Sequence, residues 1–415
     1  MIKPQVFIDE SAAAELVQFC RLQKYSHLLL LADDNTYPFA GHELERLLIA
    51  SGLDVRSVVL HDAQVVPDEK NITEVLLQAD NEWRVYLAVG SGTITDITRF
   101  VSYKLHQPFL SFPTAPSVDG FTSPVAALVI QGVKLTTPAQ PPLAVFADPR
   151  KLAQAPQAMI AAGFGDLIGK ATALADWQLG HLLWNEKYDA QIAARVRKML
   201  ENCIRSAPEI KQRNPQSVAE LMKALVDSGN CMLDFGSSQP ASGSEHHLSH
   251  YLELKLLREG RPAILHGAKV GLNSLTIARL YAELRGFTRS EVVERLNSSP
   301  LPERSAEEAR IKEVYPRIAD SILASQRPFL ELSESAFSQL KQSILQNWDE
   351  IQKIAATVPS AAHLTETLES AGCAVHPEDL GLSQTEVDEA LRYAHYLRPR
   401  FTICKLMKIL KPASF

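Results

Sequence analysis

The stretch WRVYLAVGSGTITD, residues 83–96, decides which fold this chain is expected to adopt. An apolar run of strand length ends at small residues and a helical pattern follows directly, which is typical of a strand–turn–helix unit. The same alternation precedes it: SHLLLLADDNT and DVRSVVLHD have the pattern of strands, and HELERLLIASG and ITEVLLQAD have that of helices. Strands alternating with helices predict a parallel sheet, with ligands at the carboxyl ends of its strands.

A change of pattern near residue 150 predicts a second domain. Downstream segments such as SVAELMKALVDSG and AKVGLNSLTIARLYAEL have helical spacing. At 415 residues the chain is also too long for one ordinary core. We therefore expect an α/β domain with a Rossmann-like parallel sheet over residues 1–155 and an all-helical domain over residues 156–415. A cleft between two unlike domains is a favoured place for a small-molecule site.

Composition and charge exclude several classes of protein. Apolar residues make up 46% and charged residues 22% of the chain, as in a globular protein. The net charge of −6 argues against a nucleic-acid partner, and the apolar runs fall short of the roughly 20 residues that span a bilayer. The amino-terminal residues lack the apolar core of a signal peptide. Five scattered cysteines without a CxxC pair indicate reduced thiols in a cytoplasmic protein, and they argue against cysteine as a metal ligand.

Two segments of the expected α/β domain have the residues of a nucleotide site. GSGTITD, residues 90–96, follows a strand, and its small residues let backbone N–H groups approach a pyrophosphate at the start of a helix. FPTAPSVDGFTSP, residues 112–124, is a polar loop after the predicted strand PFLSF, and long ordered loops at strand ends are usually functional. A tight turn and a solvated connection are the structural alternatives for these two segments.

Candidate metal ligands lie in the expected helical domain. ASGSEHHLSHYLE, residues 241–253, has three histidines in five positions, and a helix puts His246 and His250 on one face while His247 points about 100° away. With Asp166, one histidine of this cluster and His266 would form a three-ligand catalytic site for Zn²⁺, Ni²⁺ or Fe²⁺. The alternatives are ordinary helix histidines and, for Asp166, the N-cap of a helix that starts after AGFG.

In this order, a GSGTxTD turn, an aspartate, HxxxH and HGxKVG resemble the superfamily of iron-containing alcohol dehydrogenases, glycerol dehydrogenases and dehydroquinate synthases. Within it, TAPSVDGFTSPVA, SGSEHHLSH and LHGAKVG are most similar to the sn-glycerol-1-phosphate dehydrogenase family. The resemblance implies a cytoplasmic oxidoreductase of phospholipid metabolism. Such an enzyme interconverts dihydroxyacetone phosphate and sn-glycerol 1-phosphate with NAD or NADP and one divalent ion. We also expect a homo-oligomer, a dimer or larger, without a nucleic-acid partner or a membrane span.

The resemblance also implies roles for single residues. It assigns metal ligation to Asp166, His246 and His266, and catalysis to Asp166 and His250, with His250 in the proton path. Substrate contacts are implied for Asp119, Asp166 and His250. The implied cofactor contacts are Gly92, Thr93, Ile94, Thr95, Asp96, Thr114, Ala115, Pro116, Ser117 and Ser123.

The substrate phosphate needs a cation, and three lysines are candidates. Lys170 and Lys269 lie beside implied metal ligands in the sequence, and Lys134 follows the TAPS loop. Each could equally be a solvated surface lysine. We favour Lys170.

Other functions remain compatible with parts of this pattern. A dehydroquinate-synthase-like cyclase or a glycerol-type polyol dehydrogenase would use the same scaffold. Asp166 and the TAPSVDG loop argue against the cyclase, because that group has glutamate at the first ligand position. A cofactor-binding sensor without turnover would require a damaged ligand set, and the set here is intact.

Overall fold

The computed structural model of the protein describes residues 3–62, 64–80 and 82–412. The chain divides into two compact units, residues 1–167 with 201–237 and residues 168–200 with 238–415. The first unit therefore includes the helical segment 201–237, which follows residues 168–200 of the second unit along the chain. The predicted division into residues 1–155 and 156–415 stays a prediction.

The first unit is built on a parallel sheet. The strands of the described chain are β1 (Gln5–Ile8), β2 (His27–Asp33), β3 (Asp54–Leu60), β4 (Val85–Val89), β5 (Phe109–Phe112), β6 (Val125–Ile130), β7 (Val133–Pro138) and β8 (Ala144–Ala147). Six of them form one parallel sheet in the order β1-β8-β5-β4-β2-β3, and β6 and β7 form an antiparallel hairpin. The predicted strands at β2, β3, β4 and β5 are confirmed.

Continuous burial explains why the LLLL run forms a central strand. Leu28, Leu29, Leu30 and Leu31 are all 0% exposed in β2, which pairs with β3 on one side and β4 on the other. Leu28 and Leu30 pack into one apolar core, and Leu29 and Leu31 pack into another. Both faces of the sheet are thus covered, as a parallel sheet requires.

The α-helices of the described chain cover this sheet and make up the second unit. They are α1 (Ala12–Leu22), α2 (His42–Ala50), α3 (Glu69–Gln78), α4 (Gly92–Lys104), α5 (Pro149–Gln154), α6 (Gln157–Ile168), α7 (Lys170–Trp184), α8 (Ala190–Arg205), α9 (Ala207–Lys211), α10 (Pro215–Phe235), α11 (Ser244–Glu259), α12 (His266–Gly286), α13 (Arg289–Ser298), α14 (Arg304–Val314), α15 (Ala319–Leu330), α16 (Glu334–Gln346), α17 (Trp348–Ala356), α18 (Ala361–Ser370), α19 (Gln384–Tyr393) and α20 (Ile403–Leu410). A π-helical turn at Tyr37–Gly41 and 3-10 turns at Gly120–Thr122, Pro377–Leu380 and Ala394–Tyr396 complete the elements.

Local chemistry sets several helix ends. Asn214 caps α10 by accepting hydrogen bonds from the backbone N–H groups of Gln216 and Ser217, and Gly236, with φ of 80°, is the C-cap that follows Phe235. Thr288 and Glu291 form a reciprocal capping box at the start of α13. The second unit is helical in every element that the structure describes, as the spacing downstream of residue 156 predicts.

The helix that contains Asp166 begins earlier than expected. The AGFG sequence indicates a helix start just before Asp166, but α6 begins at Gln157 and both of these glycines lie inside it. Asp166 therefore cannot be an N-cap. The reason for the glycine at position 163 is tertiary: a Cβ there would lie 1.7 Å from the carbonyl oxygen of Pro116.

One helical stretch of the described chain, Gln157–Trp184, has the length and mean hydropathy that a membrane span requires. Of its most apolar window, 89% is buried inside the protein. The core helix of a globular protein meets the same criteria, so this stretch is weak evidence for a span.

Candidate active site

The turn between β4 and α4 is closely packed and offers backbone N–H groups as hydrogen-bond donors. Helix α4 begins at Gly92, and the N-cap residue Ser91 makes no side-chain cap hydrogen bond. The N–H groups of the first helical turn lack intrahelical acceptors, so they can bind an anion at the positive end of the helix. A Cβ at Gly90 would lie 2.6 Å from the Cβ of Ile94, which leaves room for glycine alone. Thr95 adds a buried hydroxyl for which the described chain provides no hydrogen-bond partner.

Asp96, one turn into α4, makes an ion pair with the buried side chain of Arg99. The guanidinium of Arg99 donates to its carboxylate at 2.5 Å and also to the carbonyl oxygens of Gly120, Phe121 and Val125 at 2.7, 2.8 and 3.1 Å. Burial raises the pKa of the Asp96 carboxyl and lowers that of the Arg99 guanidinium. The pair therefore ties α4 to the loop at residues 113–123.

That loop is packed inside the first unit and is not a solvated connection. Its polar side chains Thr114, Ser117, Asp119 and Ser123 are between 4% and 8% exposed. The N–H of Thr114 donates to the carbonyl of Gly90 at 3.3 Å, so the loop lies beside the glycine turn. Thr93, Ile94, Ala115 and Pro116 complete the cofactor positions that the resemblance implies, and all of them belong to these two segments.

Asp166 and Asp119 are linked through the backbone. Asp166 is 0% exposed, and its Oδ2 accepts a hydrogen bond from the N–H of Asp119 at 2.9 Å. The hydroxyl of Ser228, from α10, donates to Oδ2 of Asp119 at 2.9 Å. Asp119 and Asp166, which are 47 positions apart in the sequence, thus belong to one buried hydrogen-bond network.

In the second unit, α11 and α12 bring three imidazoles together. The ring centroids of His246 and His266 are 5.2 Å apart, those of His250 and His266 are 5.5 Å apart, and those of His246 and His250 are 6.5 Å apart. Potential ligand atoms of His246 and His266 lie within 4.8 Å of each other. His250, Glu253 and His266 offer ligand atoms that also lie within 4.8 Å of one another. The spacing prediction that His246 and His250 share a face is confirmed.

The carboxylate of Glu245 contacts the ring nitrogen Nδ1 of its neighbour His246. Its Oε1 lies 2.8 Å from Nδ1 of His246 and accepts the N–H of Gly243 at 2.7 Å, while its Oε2 accepts the hydroxyl of Thr172 at 2.6 Å. Glu245 is 0% exposed, and the contact with His246 lowers the pKa of its carboxyl against the opposing effect of burial. Because this contact occupies Nδ1, metal ligation by His246 would use Nε2.

Asp176 is a second buried carboxylate of the same unit. It accepts hydrogen bonds from the hydroxyl of Tyr281 at 2.8 Å and from the N–H groups of Ser244 and Ile403 at 2.7 Å each. Burial, and then the charge of Glu245, raise the pKa of Asp176 to about 6. Through Ser244 the carboxylate fixes the first turn of α11, where the histidines begin.

His247 points away from the other two histidines of α11 into protein. It is 2% exposed, and its Nε2 has no hydrogen-bond partner in the described chain. Burial, followed by the nearby Arg400 and Arg398, lowers the pKa of this imidazole well below its usual value. His247 is therefore a neutral core histidine at physiological pH.

The lysines near the histidines are buried rather than solvated. Lys170, the first residue of α7, is 0% exposed, and Lys269, one turn after His266 on α12, is 1% exposed. Nζ of Lys269 lies 3.8 Å from Oε2 of Glu253. Lys134 lies on the partly exposed hairpin strand β7 of the other unit.

Four side chains of these networks were missed by reasoning from the sequence: Arg99, Asp176, Ser228 and Glu245. A carboxylate inside the apolar helix pattern ATALADWQLG was a usable indication for Asp176, and the glutamate directly before the histidine pair was one for Glu245. The spacing of Asp96 and Arg99, three positions apart in a helical pattern, was a usable indication for Arg99. Nothing local in the sequence marks Ser228, because its partner Asp119 is 109 positions away.

Comparison with known proteins gives consistent matches along the chain. The family model of iron-containing alcohol dehydrogenase matches residues 7–156. The chain is 39% identical over 399 residues to a glycerol-1-phosphate dehydrogenase (NAD(P)+) of Halalkalibacterium halodurans, and the match covers 95% of this chain and 90% of that protein. It is 37% identical over 278 residues to the enzyme of the same name from Pyrococcus furiosus, with 67% and 78% covered.

Solved structures agree in fold. An iron-containing alcohol dehydrogenase superposes with a TM-score of 0.61 at 14% identity, covering 100% of this chain and 98% of that one. Maleylacetate reductase from Agrobacterium tumefaciens gives 0.60 at 15% identity, with 100% and 97% covered. Such identities establish the fold alone, whereas the relatives above establish the family. The chain belongs to the glycerol-1-phosphate dehydrogenase family.

Proposed function

We propose that this protein is a metal-dependent oxidoreductase that interconverts dihydroxyacetone phosphate and sn-glycerol 1-phosphate with NAD or NADP. The observation that supports it best is the His246–Glu245 contact, because a buried carboxylate behind an imidazole is typical of a metal ligand. Relatives that match over nearly all of the chain have the activity in their names. We also propose a homo-oligomer, a dimer or larger, in the cytoplasm.

The metal ligands in this proposal are Asp166, His246 and His266. Their chemistry fits a divalent ion, because two imidazoles and one carboxylate suit Zn²⁺, Ni²⁺ or Fe²⁺ and leave a position for substrate. When bound, the ion would polarise the C2 carbonyl of the substrate as a Lewis acid. The N–H of Asp119 orients one oxygen of Asp166, and Glu245 orients the ring of His246.

The cofactor in this proposal binds at the start of α4 and along the loop at residues 113–123. The glycine turn fits a pyrophosphate, because a Cβ at Gly90 has no room and the helix presents unsatisfied N–H groups. The orphaned hydroxyl of Thr95 lies on the same turn. NAD(P)H supplies the hydride for C2 when bound. Thr114, Ser117 and Ser123 line the nicotinamide half.

In this proposal the substrate is bound by side chains of α6, α7, α11, α12 and the loop at residues 113–123, and His250 of α11 transfers the proton. His250 gives a proton to the C2 oxygen during reduction and removes it in the reverse reaction. Lys269 and Lys170 neutralise the phosphate, since a buried ammonium attracts an anion strongly. Asp119 and Asp166 orient the hydroxyl groups of the substrate.

An assay of NADH and NADPH oxidation with dihydroxyacetone phosphate tests the proposal. Protein stripped with a chelator is assayed with Zn²⁺, Ni²⁺ or Fe²⁺ added back. Unphosphorylated dihydroxyacetone tests for a polyol dehydrogenase, and the dehydroquinate precursor tests for a cyclase. We expect oxidation with the phosphorylated triose, dependent on one of the ions and absent in His266→Ala. Equal rates with and without metal would contradict the metal-dependent mechanism, and turnover of the precursor alone would indicate a cyclase.

A further inference from the structure

A cavity of about 210 Å³ lies within the second unit, among α14, α15, α16, α20 and the 3-10 turn at Ala394–Tyr396. Its walls are mainly apolar, with the rings of Phe329, Phe337 and Phe401 and the side chains of Leu340 and Ile409. That space is several times what a single water needs, so the cavity has room for a small molecule.

A buried ammonium group lines this cavity. Lys405 of α20 is 8% exposed, and its Nζ lies 3.1 Å from Oε1 of Gln326 and 3.9 Å from the ring centroid of Phe329. No carboxylate of the described chain lies within 4.0 Å of it. Burial, and then the charge of Lys408, lower the pKa of Lys405 to about 7. An anion entering the cavity would supply the charge partner that Lys405 lacks.

A buried imidazole lines the same cavity and also lacks partners. His395 is 3% exposed, and neither ring nitrogen has a hydrogen-bond partner in residues 3–62, 64–80 and 82–412. Burial, together with Lys408 and Lys405, lowers its pKa well below the usual value, so the ring is neutral. Leaving a buried polar group without a partner destabilises the protein, and a ligand oxygen would accept the N–H of the ring.

The carboxylate that lines the cavity is already engaged. Glu307 accepts from Nζ of Lys408 at 2.5 Å and from the hydroxyl of Tyr396 at 2.7 Å, and Arg310 approaches it at 3.9 Å. Arg304, which also lines the cavity, pairs with Glu308 and Glu331. Lys408 and Arg310 share this one carboxylate, so the basic side chains that line the cavity, Lys405 among them, outnumber the carboxylates available to them.

We propose that this cavity is a second ligand site, which binds a small amphiphilic anion through Lys405 and His395 and seats its apolar body against Phe329, Phe337 and Leu340. The anionic head is a carboxylate or a phosphate monoester, since both offer oxygens to an ammonium and to an imidazole N–H. The site is independent of the proposed reaction. A neutral apolar molecule would leave His395 without a hydrogen-bond partner and Lys405 without an anionic one.

Calorimetric titration of the whole protein with hexanoate and with hexyl phosphate tests the proposal. Hexan-1-ol tests the apolar body alone, and inorganic phosphate tests the head alone. We expect saturable binding of one ligand per chain by at least one of the two anions, at least ~10-fold tighter than that of hexan-1-ol or phosphate. Binding of hexan-1-ol as tight as that of the anions would overturn the proposal, and so would the absence of binding by both anions.

Matched variants separate this cavity from the phosphate site of the proposed substrate. Lys405→Met should weaken binding of the anion at least ~10-fold, equivalent to about 1.4 kcal/mol. Lys353→Met removes a lysine whose side chain is 74% exposed on α17 and should change nothing. Steady-state oxidation of NADH should be the same in both variants and the wild type. Unchanged anion affinity in Lys405→Met would overturn the proposal.

A proton balance tests the proposal on the wild-type protein, so that it does not depend on the folding of a variant. The charged and titratable groups around Lys405 are Cys404 and Lys408 on its own helix, Arg304, Glu307 and Arg310 on α14, His395 and Tyr396 on the 3-10 turn, and Glu186. An anion favours the protonated ammonium, so hexanoate binding at pH 8 should take up as much as ~1 proton per site. Titrations in two buffers of different ionisation enthalpy measure this uptake. Binding without proton uptake would contradict the pairing of the anion with a lysine that is neutral in the free protein at pH 8.

Discussion

At the scale of single residues, the three neighbouring histidines of α11 have different surroundings. His246 contacts the buried Glu245 and lies near His266, His250 faces Glu253 at 3.7 Å, and His247 is enclosed by protein. A helix separates neighbours by about 100°, so adjacent residues reach different parts of the molecule. We infer that the three serve as metal ligand, proton-transfer group and core residue.

Alanine variants of the three histidines test this division. We expect His246→Ala to lose both metal and activity. His250→Ala should keep the metal and lose roughly 10²–10⁴-fold in turnover, the usual contribution of a positioned acid–base group. His247→Ala should keep metal and activity but lose roughly 1–3 kcal/mol of the free energy of unfolding, because a buried side chain is removed. Elemental analysis, steady-state rates and urea unfolding give the three readouts. Loss of metal from His247→Ala with retention by His246→Ala would show that the assigned register is wrong.

Glu245 supports a second prediction at the same scale. In Glu245→Ala the imidazole of His246 loses the group that orients it, so metal affinity should fall by roughly 10–100-fold. Thr172 and the N–H of Gly243 would also lose their acceptor, which should reduce stability.

Glu245→Gln serves as the matched variant for this prediction. It keeps the size of the side chain and one acceptor oxygen, and should therefore recover part of the affinity. Competition with a chelator of known affinity measures both variants. Metal affinity equal to that of the wild type in Glu245→Ala would rule out an orienting role for Glu245.

At the scale of elements, α6 and the loop at residues 113–123 pack too closely for any side chain at Gly163. A Cβ there would lie 1.7 Å from the carbonyl oxygen of Pro116. A change of rotamer moves neither a Cβ nor a backbone oxygen, so it cannot relieve this clash. The helix that contains Asp166 and the loop that contains Asp119 would therefore have to separate.

Gly163→Ala tests the functional weight of this contact. We expect it to cost roughly 1–3 kcal/mol of unfolding free energy by overpacking, and to weaken NADH binding, because the loop at residues 113–123 lines the proposed cofactor site. Gly286→Ala is the control, since a Cβ at that helix end meets nothing within 4 Å. Urea unfolding and fluorescence titration with NADH measure the two effects. A Gly163→Ala protein with wild-type stability and affinity would contradict the close contact.

At the scale of the whole molecule, the stability of the protein should depend on pH through Lys405. Its pKa is about 7 in the folded protein, against ~10.4 for an unperturbed lysine. Between these values the unfolded chain holds one more proton than the folded chain. The free energy of unfolding should therefore rise from pH 7 towards pH 10, by at most ~1.4 kcal/mol per pH unit, and the gain is lost as pH falls through 7.

The comparison with Lys405→Met isolates this contribution from all other titrating groups. Methionine has no proton to exchange, so the difference in unfolding free energy between wild type and variant should change with pH above 7. Lys353→Met should follow the wild-type curve. Urea unfolding at pH 7, 8 and 9 measures the slopes. Parallel curves for wild type and Lys405→Met would show that Lys405 stays charged in the folded protein.

The family resemblance selected His246 within the histidine cluster of α11. Sequence patterns by themselves determined the alternating strands and helices and the helical second half, and they indicated Asp166, one histidine of that cluster and His266 as candidate ligands. Those features follow from local periodicity and residue chemistry, which a linear pattern records. Only the tertiary structure decided that α6 begins at Gln157. Position 163 is glycine because the backbone of Pro116 leaves no room for a Cβ, and it does not mark a helix end.

The tertiary structure alone also decided the partners of the site residues. Glu245 and Thr172 lie 73 positions apart, and Asp119 and Ser228 lie 109 positions apart. The cavity around Lys405 likewise draws on five elements between residues 299 and 412. Each arises where side chains from distant segments are buried together, because most buried polar groups pair with a polar group that the packing brings near. No spacing rule along the chain encodes that choice.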